Sequence, residues 1–213
     1  MRFRDRRDAG RKLADVVGRL GLVDPVVLAL PRGGVPVGFE VAAALGAAFD
    51  VFVARKVGAP RNREYGIGAV AEGGAVVATD AVAALGLTTA EFDRLADAER
   101  GELDRRVEQY RGGRPPVDVT GRGVVLVDDG LATGVTAAAA LRALRDRGPS
   151  RLVLAVPVCA PETAQRMRDL ALADDVVCVT APIDFYAVGQ WYDRFEQTTD
   201  AEVLDLLRRR PVS

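Results

Sequence analysis

The stretch Val124-Val125-Leu126-Val127-Asp128-Asp129-Gly130-Leu131-Ala132-Thr133-Gly134-Val135-Thr136 decides the fold. Its first four residues are wholly apolar, as in a strand buried on both faces of a parallel sheet. The strand ends on two adjacent carboxylates. Small residues and hydroxyls follow, and then Ala137-Ala138-Ala139-Ala140-Leu141, a run of high helix propensity. An Asp-Gly turn between two hairpin strands is excluded, because the alanine run would have to be the second strand. The segment is therefore strand, loop, helix.

The same alternation extends in both directions. Residues 5–21 carry Leu13, Val16, Val17 and Leu20 at helical spacing. Val26 to Leu30 is an apolar strand broken by Pro31-Arg32-Gly33-Gly34, and residues 36–46 read as a helix closed by Gly46. Asp50 to Ala54 is a second strand. The stretch Gly58 to Gly66 reads as a charged loop, and 68–72 with 75–79 as a hairpin around Gly73-Gly74. Thr88 and Glu91 form a capping box that opens a helix to about residue 110, and Arg111 to Pro116 reads as a linker. Further on come a strand at 151–158, a helix at 161–173, a strand at 176–180 and a last helix behind Thr199 and Glu202. These elements predict one α/β domain over 1–213, a doubly wound and mainly parallel sheet, with a helical insertion and linker at 80–116.

Composition narrows the chemistry. The chain has 213 residues, 29 Lys+Arg against 30 Asp+Glu, and no histidine. Imidazole catalysis and histidine metal sites are thereby excluded. A net charge of -1 argues against a general nucleic-acid binder. Cys159 and Cys178 lie in apolar runs and read as core thiols. The basic start Met1 to Arg7 has no apolar stretch behind it, and no run suits a membrane span, so a cytoplasmic location is expected.

The loop after Asp129 suits an anion. Its small residues let backbone approach a ligand, amides from Leu131 to Thr136 can converge, and the helix start adds partial positive charge. Thr133 and Thr136 add hydroxyl donors. No lysine follows the glycine, so a nucleoside triphosphate is a poor fit. Two carboxylates beside a phosphate call for donors such as vicinal sugar hydroxyls. A ribose 5-phosphate satisfies both halves.

Residues 124–136 resemble the phosphoribosyl pyrophosphate (PRPP) motif of type I phosphoribosyltransferases. The Pro-Arg-Gly-Gly, Tyr-Arg-Gly-Gly-Arg-Pro and Asp-Asp-Gly-Leu-Ala-Thr-Gly segments are similar to those of an uncharacterised subgroup. Ala132 departs from the threonine that many members carry there. The resemblance implies transfer of 5-phosphoribosyl from the magnesium complex of PRPP to a nitrogenous, purine-like acceptor, with release of pyrophosphate. It implies that Asp128 and Asp129 hold the ribose hydroxyls and share in binding Mg2+, and that Gly130, Leu131, Ala132, Thr133, Gly134, Val135 and Thr136 hold the 5-phosphate. It places Arg32, Gly33, Gly34 and Lys56 at pyrophosphate, and Arg61 and Arg63 on a mobile catalytic loop that Tyr65 could seal. Residues 182–199 become a hood whose Phe185, Tyr186, Trp191 and Tyr192 are the aromatics that could meet the acceptor. A homodimer follows by analogy, with neither nucleic acid nor membrane as partner. Two rival readings keep the fold: a PRPP-binding regulator without turnover, and a ribose-phosphate hydrolase or phosphorylase. Gly66-Ile67-Gly68-Ala69-Val70-Ala71 matches a dinucleotide pattern but follows a polar loop instead of a strand, and is read as a decoy.

Overall fold

The computed structural model describes residues 1–209. A five-stranded parallel sheet runs in the order β2-β1-β6-β7-β8, made from Ala48–Val51, Val26–Ala29, Gly123–Val127, Arg151–Val158 and Asp175–Thr180 respectively. Every side chain of β1 and β6 is buried, as expected of strands covered on both faces. Helices α1 (Arg6–Gly18) and α2 (Gly34–Leu45) pack together on one face, and α5 (Val135–Arg145) covers the other. The alanines of α5 explain its fit: small side chains let the helix lie close on the sheet, and Ala137 to Leu141 are all buried. A doubly wound, mainly parallel α/β fold is thus what the alternation predicts.

Gly46, with φ 61°, caps α2 where the apolar pattern ends. The Thr88 hydroxyl accepts the Glu91 amide, and the Glu91 carboxylate accepts the Thr88 amide, at the start of α4 (Thr89–Arg111). Thr199 and Glu202 repeat this arrangement at α7 (Asp200–Arg209).

Two expectations need correction. The stretch Gly58 to Gly66 is not a loop. Strands β3 (Ala54–Ala59) and β4 (Asn62–Ala71) pair antiparallel across it, turning at Pro60-Arg61, and β5 (Val76–Ala78), followed by the short α3 (Ala81–Ala84), completes a separate three-stranded sheet. The glycines pack instead of loosening the chain: a Cβ at Gly58 would sit 2.4 Å from the Arg63 carbonyl, and one at Gly68 would sit 2.5 Å from the Phe92 ring. The dinucleotide-like pattern falls inside β4, where no helix follows it.

The second correction concerns Arg111. It ends α4 instead of starting a linker, and it is buried. Its guanidinium meets Asp50 at 3.1 Å and Glu72 at 2.9 Å. Cys159 is buried as expected, whereas Cys178 is only half-buried. No helix among the described residues is long and apolar enough to cross a membrane.

Candidate active site

The carboxyl ends of β1 and β6 open onto a cavity of about 640 Å³. Leu30, Pro31, Asp128 and Thr136 form its floor on the parallel sheet. Lys56 and Arg63 come from the β3–β4 hairpin, and Arg106 from α4. Asp128 and Thr136 thus face Arg55, Lys56, Arg63 and Arg106 across a single space, in which Glu99 is paired with Arg55 at 2.6 Å.

The two adjacent acids have different surroundings. Asp128 lines the cavity and its Oδ1 accepts the Asp129 amide at 2.9 Å. Burial pushes its pKa well above the usual carboxylate range, and the neighbouring Asp129 charge adds to the shift. Asp129 turns away toward the first helix. Its Oδ2 accepts from Arg6 Nε at 2.8 Å, and its backbone carbonyl accepts from the Tyr192 hydroxyl at 2.6 Å. Burial raises the Asp129 pKa too, against the opposing charge of Arg6.

The turn 31–34 presses on this pair. A Cβ at Gly33 would lie 2.1 Å from Asp129 Oδ2, and one at Gly34 would lie 2.7 Å from the Val127 carbonyl. Close approach explains both glycines, since Gly33 has an ordinary φ of -60°. The Pro31–Arg32 peptide bond is cis. The Arg32 side chain reaches toward Asp200, 3.9 Å away, instead of lining the cavity. The basic residues that line the cavity are Arg55, Lys56, Arg63 and Arg106.

The loop from Gly130 to Gly134 leads from the end of β6 into α5. Gly134 has φ 71° and caps α5, a left-handed position that favours glycine. A Cβ on Gly130 would meet Val188 at 2.4 Å, so the hood rests directly on the loop.

A family model described as the phosphoribosyl transferase domain matches residues 6–192. The chain belongs to this family. Two Mycobacterium tuberculosis proteins, from strains CDC 1551 and H37Rv, carry provisional phosphoribosyl transferase names. Each is 46% identical over 208 residues, covering 97% of this chain and 46% of the relative. The chain thus spans about half the length of these curated relatives. The crystal structure of TT1426 from Thermus thermophilus superposes with a TM-score of 0.84 at 48% identity, covering 99% of both chains. A uracil phosphoribosyltransferase of Streptomyces griseus is 38% identical over 85 residues, 40% of each chain.

In this phosphoribosyl transferase domain the aromatic residues of 182–199 differ in burial. Trp191 is a correction to the acceptor set: it is buried with Phe3, Ala9, Val158 and Tyr192 and belongs to a small core beneath the hood. Phe185 packs on the edge of that core, and Tyr186 is 88% exposed. Arg61 sits on the hairpin turn outside the cavity lining, whereas Arg63 is part of it. Tyr65 faces a different groove, beside Thr133 and Leu170. Among the described residues no group of three or more Cys, Asp or Glu side chains converges as a metal cage.

Sequence reasoning missed Arg6 and Arg106, and it read Tyr192 as a hood aromatic, whereas its ring is buried in the core beneath the hood and its hydroxyl holds the Asp129 carbonyl. Arg6 also stacks on Phe195, 3.9 Å from the ring centroid, and donates to the Glu196 carbonyl at 2.7 Å. The available signal was weak: a cation in the first turn of a helix is unfavourable to the dipole and calls for another reason to be there.

Proposed function

We propose that this domain transfers a 5-phosphoribosyl group from PRPP to a nitrogenous acceptor. The observation that carries the reading is the single cavity in which Asp128 and the Thr136 end of the cradle face Lys56, Arg63 and Arg106. An acid beside an anion cradle suits a ribose phosphate, and the cations opposite suit a pyrophosphate leaving group.

The residues divide the work as follows. The backbone from Gly130 to Thr136 binds the 5-phosphate, with the dipole of α5 behind it. Asp128 accepts hydrogen bonds from the ribose hydroxyls and holds the ring. Lys56 and Arg63 neutralise charge that grows on pyrophosphate as its bond to C1 breaks and the acceptor nitrogen bonds to C1. The acceptor nitrogen gives up its proton to the departing pyrophosphate or to solvent. Gly33 and Gly34 allow the 31–34 turn to lie against the sugar site. Asp129 acts from below, through its pair with Arg6. Phe185 and Tyr186 are the aromatic candidates at the acceptor.

Magnesium fits this donor set as part of the substrate complex. Two carboxylates line the cavity; Glu99 is paired with Arg55, which leaves Asp128 as the donor, and Mg2+ is commonly held by one or two carboxylates together with substrate phosphates. When bound, the ion would offset phosphate charge and orient the leaving group.

The test is incubation with PRPP, Mg2+ and a panel of purines, pyrimidines and simple amines, read by release of pyrophosphate and formation of nucleotide. Turnover with a nitrogen acceptor supports the reading. PRPP binding with no turnover across the panel overturns transfer and favours a binding regulator. Ribose 5-phosphate formed without nucleotide favours a hydrolase.

A further inference from the structure

We propose that Thr163 and Arg166, on helix α6 (Pro161–Asp169), are positioning residues that aim the amides of the phosphate cradle. The proposal rests on the ribose-phosphate reading of that loop. Three successive carbonyls of the loop are held from the same side. The Leu131 carbonyl accepts the Ala160 amide at 3.1 Å. The Ala132 carbonyl accepts the Thr163 hydroxyl at 2.6 Å. The Thr133 carbonyl accepts from the Arg166 guanidinium.

A trans peptide unit is planar, and its C=O and N–H point in opposite directions. Fixing those three carbonyls toward the end of β7 and the start of α6 therefore turns the N–H groups of Ala132, Thr133 and Gly134 the other way. None of these three amides donates to a protein acceptor among the described residues. Three consecutive unused donors on the concave side of a loop form an anion-binding nest. Helix α6 also fixes the turn sterically: a Cβ on Gly134 would meet Met167 at 3.0 Å and Thr163 at 3.1 Å. The two α6 side chains touch no substrate in this arrangement. They act through the peptide planes, and the guanidinium charge of Arg166 reinforces the anion preference of the loop.

The departure at Ala132 gives the device a purpose. A hydroxyl is missing from the loop itself, and a hydroxyl on α6 organises its backbone.

The test compares binding of ribose 5-phosphate and of inorganic pyrophosphate by calorimetry, in wild type, Thr163→Val, Thr163→Ser and Arg166→Met. Thr163→Val keeps the shape of the side chain and removes the hydroxyl. We expect it to weaken ribose 5-phosphate roughly fivefold or more, the worth of about one hydrogen bond, with pyrophosphate affinity unchanged. Thr163→Ser should restore wild-type binding. Arg166→Met, a change at an exposed position, should weaken the same ligand alone and serves if Thr163→Val fails to fold. Equal ribose 5-phosphate binding in wild type and in the folded variants overturns the positioning role. An equal loss of both ligands also overturns it, since that marks a general structural defect. If wild type binds no ribose 5-phosphate, the functional reading itself fails, which is a separate result.

Discussion

Asp128 and Asp129 differ in what their carboxyl groups touch, and so their substitutions should differ in kind. Asp128 faces the cavity without a basic partner on its own wall, whereas Asp129 is paired with Arg6 under the turn at Gly33. Asp128→Asn should lower kcat/KM for PRPP about tenfold or more, the worth of hydrogen bonds to a charged group, with the denaturation midpoint hardly changed. Asp129→Asn leaves Arg6 half-paired in a site where both side chains are largely buried. Stability should fall by on the order of 3 kcal/mol in urea titration, with activity lost as a consequence. Equal stability of the two variants would contradict this division.

A second residue-scale prediction concerns the thiols. The neighbouring Cys159 thiol and, after it, the positive charge of Arg168 bring the Cys178 thiol down to about 7, against the effect of its burial. The Cys159 thiol is raised by the neighbouring Cys178 and by burial. The thiolate is the reactive form, so alkylation of half-buried Cys178 by iodoacetamide should rise with pH and reach half its plateau rate near pH 7. Cys159→Ala should move that midpoint upward toward the ordinary thiol value. An unmoved midpoint would remove Cys159 as the cause.

At the scale of elements, the β3–β4 hairpin stands where a mobile loop is expected, and it separates two arginines that sequence treats alike. Arg63 lies on β4 and lines the cavity; Arg61 lies on the turn, outside it. Arg63→Ala should reduce kcat more than substrate affinity, because charge on pyrophosphate grows toward the transition state. Arg61→Ala should change both little. Steady-state kinetics on the two variants decide this, and comparable kcat losses would restore the reading of one catalytic loop. The hairpin was not legible because strand signals depend on β-branched and aromatic residues in alternation. Here Gly58, Gly66 and Gly68 occupy strand positions, since neighbours crowd their Cβ sites, and Pro60 sits at the turn. Where partners were local the reading was reliable. The capping boxes at Thr88 and Thr199 each use a glutamate three residues on, and the buried strands β1 and β6 state their environment in their own composition.

At the scale of the whole molecule, the cavity exists only because the small antiparallel sheet and α4 are held over the parallel sheet, and one buried cation joins them. Arg111 ends α4, Asp50 belongs to β2, and Glu72 follows β4. Arg111 also donates to the Val51 carbonyl at 2.8 Å. Its acidic partners are 61 and 39 residues distant in sequence, which is why an arginine before two glycines resembles a linker when read alone. Burial works against its charge, but hydrogen bonds to Glu72 and the charges of both acids raise its pKa above the ordinary value. Removing Arg111 leaves Asp50 buried and uncompensated and leaves Glu72 to Arg147, 3.6 Å away. Arg111→Met should therefore lower stability by about 3–5 kcal/mol, seen as a drop in the urea midpoint at unchanged slope. Replacing Arg111, Asp50 and Glu72 together with Met, Leu and Met should recover much of that loss, because no buried charge is then left alone. If the triple variant is as unstable as Arg111→Met, the three groups do not act as one network, and the joint between the two sheets must lie elsewhere.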